Sequence, residues 1–326
     1  MFILKVILLV IGFVMLIKGA DLFVNGSCAA ARNFNVPTLI IGLTIVGLGT
    51  SAPELAVSTA AALHGSNEIA LSNVIGSNIF NLLCVLGICA CIYPLPVDHN
   101  ALRRDFPFSL FTTGALLLLI AVSAFNDTYL PLMSAASEVA ILSRTLGLSL
   151  VMLFIGYIGV LIYSAKKCPS EESDLHRELI YKCLLMIGVG LALIIGGGQA
   201  VVYSAKEIAY AAGVSETLIG LTIVAVGTSL PELVTSIVAA RKGETDLAIG
   251  NVIGSNIFNL LFILGVSTLI CPISVNLASV CDLLLLLMIS ALALIFCLTS
   301  RRLVRFEGIV MVFIYIAYVI FAVFRH

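Results

Sequence analysis

Residues 42–87 read GLTIVGLGTSAPELAVSTAAALHGSNEIALSNVIGSNIFNLLCVLG, and residues 220–265 read GLTIVAVGTSLPELVTSIVAARKGETDLAIGNVIGSNIFNLLFILG. The two align without a gap, and 29 of the 46 positions are identical. Shared apolar composition does not produce that figure, so the chain contains an internal repeat. The alignment sets Glu54 against Glu232, Ser77 against Ser255, and Asn81 against Asn259. Each copy holds one acid inside an otherwise apolar run. Around it stand hydroxyls at Thr50, Ser51 and Ser58 and a later polar cluster at Asn73, Ser77, Asn78 and Asn81.

The chain around the repeat has 326 residues, 61% of them hydrophobic and 11% charged, with a mean hydropathy of +1.17. Ordinary soluble domains carry about 25% charged residues, so this composition predicts a polytopic membrane protein. The nine cysteines form neither a C-x-x-C pair nor a zinc-finger spacing and read as small apolar fillers. Apolar runs predict about ten spanning helices, near 2–31, 36–63, 67–92, 106–125, 144–164, 182–210, 214–240, 245–270, 279–299 and 306–324. The first run lacks a cleavage pattern and is taken as a span. A charged connection at 166–178 separates five spans in 1–165 from five in 179–326. The fold class is therefore all-α and polytopic, with helices 2 and 7 broken at their prolines.

Connections after odd-numbered spans hold twelve Lys and Arg residues, against four on the other side. The positive-inside rule then places the odd connections in the cytoplasm and both termini outside. Five is an odd number, so the second half enters the membrane inverted, and the halves become repeats related by an axis in the membrane plane. Alternating-access carriers use that relation, because exchanging the conformations of two similar halves moves the opening from one face to the other.

The chemistry within the repeat is that of a hard cation. Pro53 and Pro231 withdraw a donor from mid-span and press on the carbonyls of Gly49 and Gly227. In hydrocarbon, a carbonyl released in this way must face protein, water or an ion. On a helical count Thr50, Glu54 and Ser58 share a face, with Ser51 beside them, and Ser77 and Asn81 share another. Carboxylate, hydroxyl and amide oxygens without thiolate or imidazole suit calcium, sodium or magnesium. A lone ionised acid near the bilayer centre costs roughly 2.5–3.5 kcal/mol on insertion scales. Two facing glutamates would also repel one another; a divalent cation between them removes both costs, and sodium ions or protons replace it in exchange. Motifs of membrane hydrolases are absent, and no enzyme activity or cofactor is expected.

The pair G-T-S-x-P-E-L and G-S-N-I-F-N, present twice, resembles the paired α-repeats of the cation/calcium antiporter superfamily, in its sodium/calcium exchanger branch. That resemblance implies ten helices in an inverted 5+5 arrangement, with calcium and sodium as transported substrates. It implies a calcium site at Glu54 and Glu232, with carbonyls near Thr50 and Thr228. Sodium sites would flank it at Ser51, Ser77, Ser229 and Ser255, with carbonyls near Gly47 and Ala225. Asn81 and Asn259 would line the middle. Potassium-dependent relatives tend to carry an acid where this chain has Asn259. The proton/calcium branch usually lacks G-T-S-x-P-E, which favours sodium as counter-ion; a proton-coupled antiporter of calcium or another divalent cation is the alternative. The bilayer is the expected environment, a prokaryotic inner membrane the expected location, and no nucleic-acid partner is expected.

Overall fold

A computed structural model of the chain describes residues 2–65, 67–126, 138–167, 178–211 and 225–325. Three features read from the sequence therefore fall partly outside the described residues: the connection through Pro131, most of the 166–178 linker, and the start of the seventh span with Gly220–Val224. Within the described residues, eight helices are long and apolar enough to cross a membrane: Ile3–Phe34, Glu68–Ile92, Ala101–Val122, Arg144–Lys167, Ile180–Ala211, Thr245–Ile270, Leu277–Thr299 and Arg305–Phe324. A ninth span is the pair Thr38–Thr50 and Ala52–Leu63, bent by 48°. The described part of the seventh comprises Ala225–Thr228 and Leu230–Arg241. The protein is a polytopic, nearly all-helical membrane protein.

Sequence decides where these helices break. Pro53 sits in the first turn of the helix beginning at Ala52, where its missing donor costs nothing. Ser51, at φ −81° and ψ 9°, takes up the bend. Pro231 opens the helix Leu230–Arg241 in the same way after Ser229. The fourth span begins earlier than expected, because Ala101–Asp105 forms a π-helical turn leading into it. Two of its three charges, which mark a loop in sequence, are paired here. Arg104 donates through Nε to Asp105 Oδ1 at 2.7 Å and through Nη1 to Ser164 Oγ at 2.8 Å, and the Tyr157 hydroxyl donates to Asp105 Oδ1 at 3.0 Å. The fifth span runs through Lys167, two residues into the expected linker.

Inversion of the halves is visible in packing. Helices Ile3–Phe34 and Ile180–Ala211 are equivalent, and Gly12 and Gly19 correspond to Gly190 and Gly197 at the repeat offset of 178. A β-carbon on Gly12 would stand 3.0 Å from the Gly197 carbonyl oxygen, and one on Gly19 would stand 2.9 Å from that of Gly190. Equivalent helices thus lie antiparallel with backbones in contact, through the small-residue packing that brings membrane helices together. Four short strands, absent from the sequence reading, repeat the relation. β1 (Leu95–Pro96) pairs with β4 (Arg302–Leu303), and β2 (Glu138–Leu142) pairs with β3 (Ile273–Asn276). Leu95 and Ile273 are equivalent positions, so each half lends a strand to the other, and the pairing satisfies backbone groups where helices end.

The eighth span packs closely on the second. A β-carbon on Gly254 would lie 2.6 Å from the Leu43 carbonyl oxygen and 2.7 Å from the Leu43 α-carbon. By the repeat register, the neighbour of Gly76 is residue 221, outside the described residues. Gly254→Ala is expected to cost about 1–3 kcal/mol by overpacking. Gly156→Ala, where nothing lies within 4 Å, should be silent. Thermal unfolding in detergent measures both.

Candidate cation-binding centre

The broken spans and the two helices that follow them carry the polar residues into the middle of the molecule. Thr50, Ser51, Glu54, Ser58, Ser77, Asn78 and Asn81 are buried, as are Ser229, Glu232, Ser236, Asn251, Ser255, Asn256 and Asn259. Side chains of one half reach across to the other. Ser51 Oγ donates to Glu232 Oε1 at 2.7 Å, and Ser229 Oγ donates to Glu54 Oε1 at 2.9 Å. Each glutamate is therefore held by the serine at the break of the opposite repeat. Hydrogen bonds to a carboxylate are among the stronger ones, and this pair ties the two breaks together.

Ser77 extends the contact. Its hydroxyl lies 2.9 Å from that of Ser229 and 3.4 Å from Glu54 Oε1, and it accepts from Asn259 Nδ2 at 3.3 Å. Since Ser229 gives its one proton to Glu54, Ser77 donates to Ser229, and a chain runs from Asn259 through two serines to the carboxylate. Ser255, the equivalent of Ser77, donates instead to the Gly47 carbonyl at 3.2 Å. Thr50 donates to Asn251 Oδ1 at 3.0 Å. The helical face of Thr50, Glu54 and Ser58 read from sequence holds for burial, but the bend at Ser51 sends the three to different partners.

Asn81 and Asn259 each occupy the first position of a π-helical turn, Asn81–Val85 and Asn259–Ile263. Such turns place one extra residue in the helix and are frequent at functional sites. Nothing in the amino-acid pattern marks them. The sequence reading also omitted four residues from the site. Asn73 Nδ2 donates to Ser58 Oγ at 2.9 Å and to the Glu54 carbonyl at 3.4 Å. Asn251 does the same to Ser236 Oγ at 2.8 Å and to the Glu232 carbonyl at 3.3 Å. Asn78 and Asn256 link the third and eighth spans. All four lie in the run NVIGSNIFNLL, identical in both copies, and that identity was the signal available. Of the residues expected at the site, only Ala225 is placed by its backbone alone, at the start of the helix Ala225–Thr228; Thr228 stands two positions beyond Val226 on that helix.

Four buried oxygens in this network have no hydrogen-bond partner: Glu54 Oε2, Glu232 Oε2, Asn81 Oδ1 and Asn259 Oδ1. They form two symmetry-equivalent pairs, and all are acceptors. Among the described residues no basic side chain forms a salt bridge with either glutamate. Buried acceptors left without donors are costly, and a cation among them supplies what they lack. A cavity of about 430 Å³, lined by Pro53, Val57, Gln199, Gly227 and Pro231, reaches both helix breaks. A larger apolar cavity of about 880 Å³ lies apart from them, between residues 34–48 and 154–166.

Comparison with known proteins gives the family. The profile of the family described as "Sodium/calcium exchanger protein" matches residues 4–163 and 182–324. The chain belongs to the sodium/calcium exchanger family. It is 38% identical over 324 residues to the "Putative antiporter CaxA" of Alkalimonas amylolytica, covering 96% of each chain. It is 33% identical to the "Sodium/calcium exchanger MaX1" of Methanosarcina acetivorans, covering 96% of this chain and 97% of that one. Among solved structures it resembles the sodium-calcium exchanger NCX_Mj soaked with 10 mM Na+ and no Ca2+. The TM-score is 0.81 at 32% identity, over 97% of this chain and 98% of that one. Family members are cation antiporters with calcium among their substrates.

Asn251→Ala removes the donor to Ser236 and the Glu232 carbonyl together, while Thr50 keeps the Val46 carbonyl as acceptor at 3.0 Å. A loss of about 1–3 kcal/mol is expected for buried groups left unpaired, read as a lowered melting temperature in detergent without added cation.

Proposed function

We propose that the protein exchanges calcium for sodium by alternating access, with both ions competing for the centre between Glu54 and Glu232. The observation that carries this reading is the set of four unpartnered acceptor oxygens, two carboxylate and two amide. Two ionised carboxylates balance one divalent cation, and neutral oxygens complete the shell of a hard ion. The calcium site is assigned to Glu54 and Glu232 with carbonyls near Thr50 and Thr228. Flanking sodium sites are assigned to Ser51, Ser77, Ser229 and Ser255 with carbonyls near Gly47 and Ala225. Asn81 and Asn259 face the middle. Sodium is favoured as counter-ion by the G-T-S-x-P-E form and by the name of the Methanosarcina relative. The amide at Asn259, in place of an acid, argues against a need for potassium.

The test is calcium uptake into vesicles with sodium, potassium and proton gradients imposed one at a time. Uptake driven by sodium alone is expected; uptake driven only by the proton gradient would replace sodium with protons in the reading. Glu54→Gln or Glu232→Gln should abolish sodium-driven uptake while the protein remains folded and inserted, and near-normal flux in either variant would sink the site assignment.

Orientation follows the charge distribution, with the odd-numbered connections in the cytoplasm and both termini outside. The cavity against Pro53 and Pro231 has Lys206, Glu207 and Tyr210 in its wall, on the outer side in this orientation, and forms the approach to the centre from outside. A cysteine placed at Lys167 in a cysteine-free background should react with an impermeant maleimide from the cytoplasmic face only; labelling from outside reverses the assignment.

A further inference from the structure

The sense of an asparagine side chain follows from its partners, and here the partners start from groups that cannot turn. Asn78 Nδ2 donates to the backbone carbonyl of Asn256 at 3.2 Å. A carbonyl only accepts, so Asn78 must present its nitrogen there and its oxygen on the other side. That oxygen accepts from Asn259 Nδ2 at 3.0 Å. Asn259 in turn must present its nitrogen to Asn78, which leaves Asn259 Oδ1 free, and that atom is the unpartnered one. The mirror chain is complete. Asn256 Nδ2 donates to the Asn78 carbonyl at 3.4 Å, Asn256 Oδ1 accepts from Asn81 Nδ2 at 3.2 Å, and Asn81 Oδ1 is left free.

We infer that Asn78 and Asn256 are positioning residues for cation selection, each taking the amide N–H of Asn259 or Asn81 from the opposite repeat and thereby turning its carbonyl oxygen toward the ion. The inference rests on the cation centre proposed above. An amide has one accepting end and one donating end, and a flipped amide would aim N–H at a cation and repel it. Burial of all four side chains prevents water from taking over the role. The relay also crosses the two-fold axis, so each neutral ligand of one repeat is oriented by a backbone carbonyl of its own repeat acting through a side chain of the other.

The test uses the fact that a carboxylate has no wrong end. Purified protein is titrated with calcium, strontium and sodium separately. Thermal stabilisation reports apparent affinity, and vesicle uptake reports KM and maximal rate. Asn78→Ala should weaken apparent affinity by about tenfold, the scale of one lost polar contact, with maximal rate changed far less. In an Asn259→Asp background both oxygens accept, and adding Asn78→Ala should change affinity by less than about twofold, since no orientation is left to lose. Equal weakening in both backgrounds would make Asn78 merely structural and overturn the proposal, as would unaltered affinity in the single variant. Asn256→Ala, with and without Asn81→Asp, repeats the comparison if Asn78→Ala does not fold; loss of fold in both overturns it too. If sodium or strontium stabilises the wild type and calcium does not, the calcium reading falls while the relay is still measured with the ion that binds. A wild type stabilised by none of them overturns the relay together with the site.

Discussion

Two acids buried in the molecule's interior, without a basic partner among the described residues, constrain everything else in this structure. A carboxylate in such a place is tolerated when its oxygens are hydrogen-bonded, when a cation joins it or when a proton neutralises it. Half of each demand is met internally. Ser229 and Ser51 each occupy one oxygen of the glutamate across the axis, and one oxygen of each acid is left open. The serines are placed for this because each stands at the bend that precedes the proline, while its backbone stays bonded: the Leu55 and Leu233 N–H groups donate to the Ser51 and Ser229 carbonyls at 3.1 Å. The break, the hydroxyl and the acid are therefore one device rather than three features that coincide.

That device explains why the halves must interlock. The shortest hydrogen bond to each glutamate comes from the opposite repeat, at 2.9 Å for Glu54 and 2.7 Å for Glu232 against 3.4 Å from Ser77 to Glu54 within one repeat, and each central asparagine is turned by a side chain of the other copy. The exchange of strands between β1 and β4 and between β2 and β3, and the glycine contacts of the first and sixth spans, serve the same end at the periphery. Symmetry is not complete, however. Ser77 joins the Ser229–Glu54 chain, whereas Ser255 turns to the Gly47 carbonyl.

Much of this was legible in the residues. The repeat, the membrane class, the five-plus-five division and the breaks at Pro53 and Pro231 follow from pattern and from the loss of one donor. So does the pairing of Glu54 with Glu232, because duplication places them on equivalent helices. The π-helical turns at Asn81 and Asn259 were not legible, since an inserted residue in a helix has no compositional mark. Nor was the fourth span's start at Ala101: Arg104 and Asp105 read as loop until Ser164 and Tyr157 arrive from a distant helix to pair them. Asn78 was visible as a polar residue, but its role depends on which end of its amide meets a carbonyl of the other half. Long-range partners decide such matters, and spacing along one helix cannot supply them.

The differences between the two copies carry their own argument. Residues 73–83 and 251–261 are identical, while 63–72 and 241–250 share only a glycine and an alanine. The shared glycines, Gly65 at φ +74° and Gly243 at φ +79°, make the same left-handed turn, so backbone geometry is retained where side chains are not. The divergent residues follow their surroundings. Where the first copy has Leu63 and His64, the second has Arg241 and Lys242. Lys242 reaches the first span, 2.6 Å from Asp21 Oδ1 and 2.6 Å from Asn25 Oδ1. At the positions equivalent to Asp21 and Asn25 stand Gln199 and Tyr203, which offer no charge for such a clasp. Inverted copies share one centre but face different aqueous phases, so identity is retained at the centre and released at the ends. The clasp of Lys242 on the first span fastens one end of the molecule, and among the described residues the equivalent positions His64, Gln199 and Tyr203 form no ion pair in its place.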